Sequence, residues 1–353
     1  MSGTIKTKKV DKTKPRKAWP SISYRPKNKK AKIKKAKLND YLESFTYVDA
    51  ASGESDTVSF TLSNIGLTFA KKWLPKKGDT VYATIIADNW DKTGKETRMS
   101  CGRFCCDDRN FSFPQNLTAT IGGVSVPENH SFRSTPRTKT WENISLKEVA
   151  RQICARYGLK LAFYGEYIPL KKQEQSDADD CSFLNGLCKN YGYHMKVYDG
   201  KVILYDIYRF EKKKAVATIA YKEVTDGDYS STLIGTYTGA KIKYTVHISK
   251  DKTEDRELVI GNWARMLVVG EKADSYDDAL RIAKAKLREE NRKAETLKIT
   301  IPAAGRKLWA ATNIRLTGAG IMSGKWFVDK ATHSISATDG YTVSLELHRA
   351  KGK

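Results

Sequence analysis

The chain has 353 residues, 40% of them hydrophobic and 10% aromatic, a globular composition with room for two or three packed units and a large core. Its net charge of +23 is uneven: residues 1–37 hold 15 Lys or Arg and one acid, Asp11, so this tenth of the chain carries +14 and the rest +9. No apolar run approaches the roughly 20 residues that cross a bilayer, and no apolar signal segment follows the basic N-terminus, so the expectation is a protein kept in the cytoplasm until a larger assembly carries it out.

Residues 1–37 combine Lys clusters with Pro15, Pro20 and Pro26 and have almost no apolar spacing, so they read as an arm that is disordered on its own. Within it Lys8, Lys9, Lys14, Arg16, Lys17, Lys29 and Lys30, with Trp19 and Tyr24 as anchors, form a candidate partner-binding surface. Short alternating runs at 41–48, 56–62, 80–88 and 98–107 predict strands. Two more, at 117–121 and 124–126 around Gly122-Gly123, complete a first barrel-like unit spanning 38–135.

The period then changes. Ser145 and Glu148 form a capping-box pattern ahead of a helix carrying Leu146, Val149, Ala150, Ile153, Cys154 and Tyr157, and Gly158 ends it. A second helix is expected from near Ser176, with Phe183, Leu184, Leu187, Cys188 and Tyr191 on one face and Gly192 as its stop. Asp199-Gly200 between two apolar runs predicts a type I′ hairpin, and these elements make an insert over 136–214. Strand patterns return at 215–221, 231–238, 240–248 and 257–269, the last bending near Gly261. A helix at 274–293 follows, capped by Asp274 or Ser275. Further strands at 296–301, 313–316, 325–336 and 341–348 complete a second barrel-like unit, 215–353. The expected class is α+β: two β-barrel-like, tube-like domains with an inserted helix and hairpin domain. No short sequence repeat is visible, yet two β units of similar size permit a structural duplication.

The residues from about 140 to 350 resemble the phage late control protein D family, the baseplate hub proteins of contractile tails whose fold also forms the base of type VI secretion VgrG spikes. The resemblance is carried by the helix ending at Gly158-Leu159, by Ser176-Asp177-Ala178-Asp179-Asp180-Cys181-Ser182-Phe183-Leu184, and by Asn190-Tyr191-Gly192-Tyr193 with its hairpin. It continues through Val268-Val269-Gly270, Ala273-Asp274-Ser275, Gly324-Lys325-Trp326-Phe327-Val328, the strand of His333 and Gly340-Tyr341-Thr342. It implies a structural protein of a virion or particle tail, assembled in the bacterial cytoplasm as a homotrimer that joins the sixfold tail tube to the threefold spike. The implied partners are the tail tube or tube-initiator protein, other baseplate subunits and a spike. The spike is expected to be a separate protein, since no oligosaccharide-binding barrel or β-helix follows the second unit.

Little else in the sequence points to chemistry. His130, His194, His247, His333 and His348 are scattered without metal-ligand spacing. Cys101, Cys105 and Cys106 have the chemistry to join a distant histidine at a metal, against the simpler expectation that they and Cys154, Cys181 and Cys188 are reduced core residues. Asp107-Asp108 and the group Asp177, Asp179 and Asp180 are the candidate paired acids, with helix capping the simpler account of the second group. No catalytic residue, cofactor or metal site is assigned, and an enzyme is not expected. The rival function is nucleic-acid binding through the Lys-rich arm. Trp73, Trp263 and Trp326 are candidates for subunit edges, with core burial the simpler alternative.

Overall fold

The computed structural model describes residues 5–35, 37–90, 93–125, 131–249, 252–303 and 308–350. Seven strands come first: β1 (Ile5–Lys9), β2 (Lys17–Arg25), β3 (Leu42–Ala50), β4 (Thr57–Ser63), β5 (Thr80–Asp88), β6 (Lys95–Ser112) and β7 (Thr118–Val124). A mixed segment follows: α1 (Ser131–Ser134), β8 (Pro136–Ser145), α2 (Leu146–Arg156), β9 (Lys160–Tyr164), β10 (Pro169–Asp179), α3 (Asp180–Asn190), β11 (Tyr193–Tyr198), β12 (Lys201–Asp206) and α4 (Ile207–Glu211). The last part comprises β13 (Ala217–Ala220), β14 (Asp226–Ser231), β15 (Gly239–Ser249), β16 (Lys252–Gly261), β17 (Met266–Ala273), α5 (Tyr276–Arg292), β18 (Glu295–Pro302), β19 (Asn313–Thr317), β20 (Gly324–Ser336) and β21 (Gly340–Arg349).

The chain is mostly β, and its centre is one 13-stranded sheet among the described residues. Six strands of the N-terminal part lie in the order β2-β5-β6-β7-β4-β3, and six of the C-terminal part in the order β13-β19-β20-β21-β18-β14. Matched in chain order, the two sets have the same arrangement. All neighbours are antiparallel except β13 with β19, which run parallel where β2 and β5 run antiparallel. The sets join edge to edge through β3 and β20, registered from Lys330 opposite Ala50 to Ser336 opposite Ser44, and they share one apolar core.

Neither set closes its hydrogen-bond ladder among the described residues, which corrects the expectation of two barrels. In the first set the gap lies between β2 and β3. Pro20 has no N–H to offer in the middle of β2, which confines that strand to an edge. The Asn39 side chain lies against this edge, accepting from Ile22 N (3.2 Å) and donating to Pro20 O (3.0 Å).

Residues 5–9 and 17–25, expected within a disordered arm, are strands: β1 pairs with β6, and β2 runs the full length of β5 with nine registered residues. Gly122-Gly123 is the interior of β7 and makes no turn. A Cβ on Gly122 would collide with the Asp108 carboxylate, and one on Gly123 would sit 3.0 Å from Phe104 Cβ and 3.1 Å from Val58 Cγ1. Of the run expected at 124–126, Val126 lies outside the described residues.

The mixed segment folds as predicted at α2, where Ser145 Oγ accepts from Glu148 N (3.2 Å), and at the β11–β12 hairpin, where Asp199 and Gly200 both take positive φ. α3 begins later than expected. Asp179 is its cap, accepting from Ser182 N (2.8 Å), because residues 176–179 finish β10, which pairs with β8. The layer β16-β15-β17 and α5 pack into the core of this insert, with Ile242, Val269, Ala279 and Ala283 buried against Val149 and Leu184. Residues 231–238, expected as a strand, contribute only Ser231 to β14. Thr232 and Thr236 bond locally instead, Ile234 N to Thr232 Oγ1 (3.1 Å) and Thr236 Oγ1 to Leu233 O (2.7 Å).

Candidate functional site

The polar residues that organise the molecule lie where the insert meets the sheet. Lys196 on β11 is buried. It pairs with Asp49 at the end of β3 and donates to Ala50 O and Asp56 Oδ1, both at 2.7 Å. Asp49 also accepts from Ala310 N (3.0 Å), so one carboxylate ties β3, the insert and the segment before β19. Burial pushes the Asp56 carboxyl up to about 7, with Lys196 pulling it down and Asp49 pushing it further up. Burial draws Lys196 downward, but the two carboxylates more than offset this and leave its pKa raised.

A second node joins the insert to the C-terminal strand set. His348 on β21 faces Asp329 through Nδ1 (2.7 Å) and Glu211 through Nε2 (3.1 Å), and Arg292 of α5 donates to the same Glu211 oxygen (2.7 Å). Burial lowers the His348 pKa, yet Asp329 and Glu211 outweigh it, so the net shift is upward. Around these nodes Tyr205, Phe210 and Phe327 form a separate apolar cluster. The arrangement is that of a rigid joint: Lys196, Asp49, Asp56, His348 and Glu211 are buried, and every charge of the two nodes has a partner that holds segments together.

Two of the candidate acids are likewise engaged. Asp180 is buried, accepting from Arg156 Nη1 (2.5 Å), Tyr157 Oη (2.6 Å) and Gln175 Nε2 (2.8 Å), with Arg137 at 3.4 Å. Asp179 caps α3, Asp177 has positive φ, and Asp107 and Asp108 are exposed at a bulge of β6. All six cysteines are buried and none forms a disulfide, and no group of three metal-ligating side chains occurs among the described residues.

The candidate N-terminal residues are split by the fold. Tyr24 is buried, its hydroxyl donating to Asp79 Oδ2 (2.8 Å) and accepting from Lys76 N (3.0 Å). Trp19 is half-buried, with Lys17 Nζ 5.2 Å from its ring centre. Tyr24 therefore anchors the segment on its own chain. Lys8 and Lys9 on β1, Lys14 and Arg16 in the connection, Lys17 on β2, and Lys29 and Lys30 after it stay exposed. Of the three tryptophans, Trp326 is fully buried, Trp73 is half-buried, and Trp263 is 64% exposed on the loop between β16 and β17. Sequence reasoning missed two further exposed apolar residues. Leu233 and Ile234 are also exposed, on a neighbouring loop tied to this one by Thr238 N to Arg265 O (2.8 Å) and Asn262 N to Thr238 O (3.2 Å).

The chain shares its fold with solved phage tail proteins. The tail protein from Neisseria meningitidis MC58 superimposes with a TM-score of 0.69 at 13% identity, over 94% of this chain and 96% of that one. The prophage MuSo2 43 kDa tail protein from Shewanella oneidensis gives 0.70 at 12% identity, over 94% and 99%. An E. coli component of the type VI secretion system, itself described as similar to bacteriophage T4 tail proteins, gives 0.55 at 11% identity, over 87% and 73%. No family model matches the sequence, and neither does any curated protein. With the first two the likeness covers almost the whole of both chains, so it takes in both strand sets and the insert.

Proposed function

We propose that this protein is a structural component of a phage-type tail, and specifically the baseplate hub of a contractile tail or phage-derived injection particle of the late control protein D kind. In this reading it is a homotrimer that adapts a sixfold tail tube to a threefold central spike. Its partners are the tube or tube-initiator protein above, a spike protein below and other baseplate subunits around it.

The observation that carries the reading is the duplicated strand order. One chain holds two six-stranded sets of like arrangement, so three chains present six similar units to a sixfold partner while keeping three inserts for a threefold one. The buried joint supports it, since a symmetry adapter has to hold its two units and its insert in fixed relation. The likeness to tail proteins supports the setting.

The test is the solution mass of the full chain by light scattering in high salt. A hub gives about 119 kDa, three times the 39.7 kDa chain, and holds it as salt rises. A monomer in all conditions overturns the trimer. The second reading, nucleic-acid binding, is favoured by one observation, the exposed cations of β1 and β2. It gives instead an affinity for nucleic acid that falls steeply with salt.

A further inference from the structure

The two strand sets correspond residue by residue at the strand that joins them. In the first set Cys106 N donates to Asp79 O and Gly78 N to Cys106 O, both at 2.7 Å. In the second, Val328 N donates to Thr312 O (2.8 Å) and Ala311 N to Val328 O (2.9 Å). Gly78 and Ala311, the residues entering this pattern, both have positive φ. One step later each strand bulges against its partner, β6 between Cys106 and Asp108 opposite β7, and β20 between Val328 and Lys330 opposite β21. Cys106 is therefore the counterpart of Val328, and Asp108–Ser112 of residues 330–334. On the other flank, Tyr47 of β3 stands opposite Val58 as Tyr229 of β14 stands opposite Leu297, so β14 is the counterpart of β3.

One contact has no counterpart among the described residues. Beyond its bulge β20 pairs on one edge with β21 and on the other with β3. Beyond its own bulge β6 pairs with β7, while β5 has left the opposite edge, and no described strand covers it. The missing neighbour is the counterpart of β3, which is β14. Among the described residues that strand pairs only with β18, and its residues 226–228, 230 and 231 are exposed.

We infer that β14 of one copy adds to the edge of β6 beyond the bulge in the next copy, antiparallel, repeating between chains the β3 to β20 joint made within each chain. The inference rests on the ring reading above and names the contact that builds it. Transferring the register puts Asp108 opposite Thr232, Arg109 opposite Ser231, Asn110 opposite Ser230, Phe111 opposite Tyr229 and Ser112 opposite Asp228. The charges favour this register. Asp107 and Asp108 lie at one end of the pairing and Asp226 and Asp228 at the other, so the acids of the two strands are kept about 13 Å apart, four residues of strand, and no two acids are directly opposed. The aromatic pair, Phe111 with Tyr229, also has a precedent: its equivalent in the chain is Tyr47 stacked on His333, with ring centres 5.8 Å apart.

Paired cysteines test the contact. The internal equivalent of Asn110 with Ser230 is Thr332 with Val48. Counting from the Ala51 N to Asp329 O bond, this is a non-hydrogen-bonded pair, where opposite side chains come closest. A full-length chain carrying both Asn110→Cys and Ser230→Cys is oxidised, and the products are separated without reductant. The native cysteines are all buried and give little background. The expected result is covalent dimer and trimer from the double variant, dimer only when the two single variants are mixed, and little linkage for Asn110→Cys with Ser231→Cys, whose side chains point to opposite faces. Light scattering of the reduced double variant runs in parallel. A trimer that forms no crosslink overturns the strand pairing and leaves the ring reading standing. A monomer without crosslinks overturns both, and equal linkage of the two double variants overturns the register.

Discussion

Replacing Lys196 by methionine removes the cation from the joint and keeps most of the side-chain volume. Asp49 and Asp56, both 0% exposed, then face each other without the ammonium, and Ala50 O loses a donor. Removing one partner of a buried ion pair costs about 3–5 kcal/mol, because the remaining charge keeps its desolvation penalty. The loss should depend on pH. In the native protein Asp56 has a folded-state pKa of about 7, above its unfolded value. Its contribution to stability is therefore fully present only below about pH 4 and is lost as pH rises through 7. Lys196 is raised, so its own contribution persists through neutral pH and is lost only in the alkaline range. Without Lys196 the Asp56 carboxyl loses the charge that pulls its pKa down and holds its proton to still higher pH, so Lys196→Met should be costly at pH 8 and distinctly less so at pH 5. Urea unfolding followed by tryptophan fluorescence at the two pH values reads both effects. Adding Asp56→Asn should recover part of the pH 8 loss through the coupling of neighbouring sites. A loss below about 1 kcal/mol at pH 8, or an equal loss at both pH values, would refute the argument that the joint is held by a buried ion cluster.

Tyr24→Phe should cost about 1–3 kcal/mol, because buried Asp79 loses a hydroxyl donor and Lys76 N loses its acceptor. Lys29→Gln and Lys30→Gln should each stay within about 0.5 kcal/mol, as exposed surface changes do; thermal unfolding separates the two classes, and a neutral Tyr24→Phe would return the segment to a free arm. His348 is held above its ordinary pKa, so its contribution is fully present below about pH 6.5 and is lost as pH rises through the raised value. His348→Gln should flatten the stability profile from pH 6 to 9 in urea titrations, and parallel profiles for variant and native protein would show that the imidazole is not the group that titrates.

Where one face of an element is apolar and its ends are marked by turn chemistry, the sequence was enough. The strand at 80–88, the Ser145 cap, the Asp199-Gly200 hairpin and the Ser275-capped helix are found where their residues place them. β2 was illegible for a physical reason. Lysine, arginine and proline on an edge strand blunt unwanted pairing, and the same residues in a sequence read as a chain too polar to fold. Only Trp19, Ile22 and Tyr24 betray the strand, and the decisive contact, Tyr24 with Asp79, spans 55 positions. The buried joint was hidden in the same way. Lys196 stands among apolar strand residues as any surface lysine might in an alternating pattern, and its partners Asp49 and Asp56 lie 147 and 140 residues away. The packing of β15–β17 and α5 into the insert's core likewise depends on where the chain crosses back.

The size of the two β units permitted a duplication, but the sequence shows no repeat because most counterparts share geometry and not side chains: Cys106 answers to Val328, Gly78 to Ala311 and Phe104 to Trp326. What the two sets do with their edges differs, and that difference sets how copies meet. The β2 edge is occupied by Asn39 and interrupted by Pro20. The open edges of β14 and of β6 beyond its bulge are unlike each other, and two unlike edges on one chain associate head to tail, giving a closed ring or an endless filament according to the turn at each contact. Here the turn is already fixed once per chain, at β3 and β20, where a bulge bends β20 as it changes partners. A contact between chains built on the same bulge and the same register inherits the same turn. If it amounts to about 60°, six such joints, three within chains and three between them, close the ring; changing the bulge at Asp107 should therefore alter ring size before it alters folding.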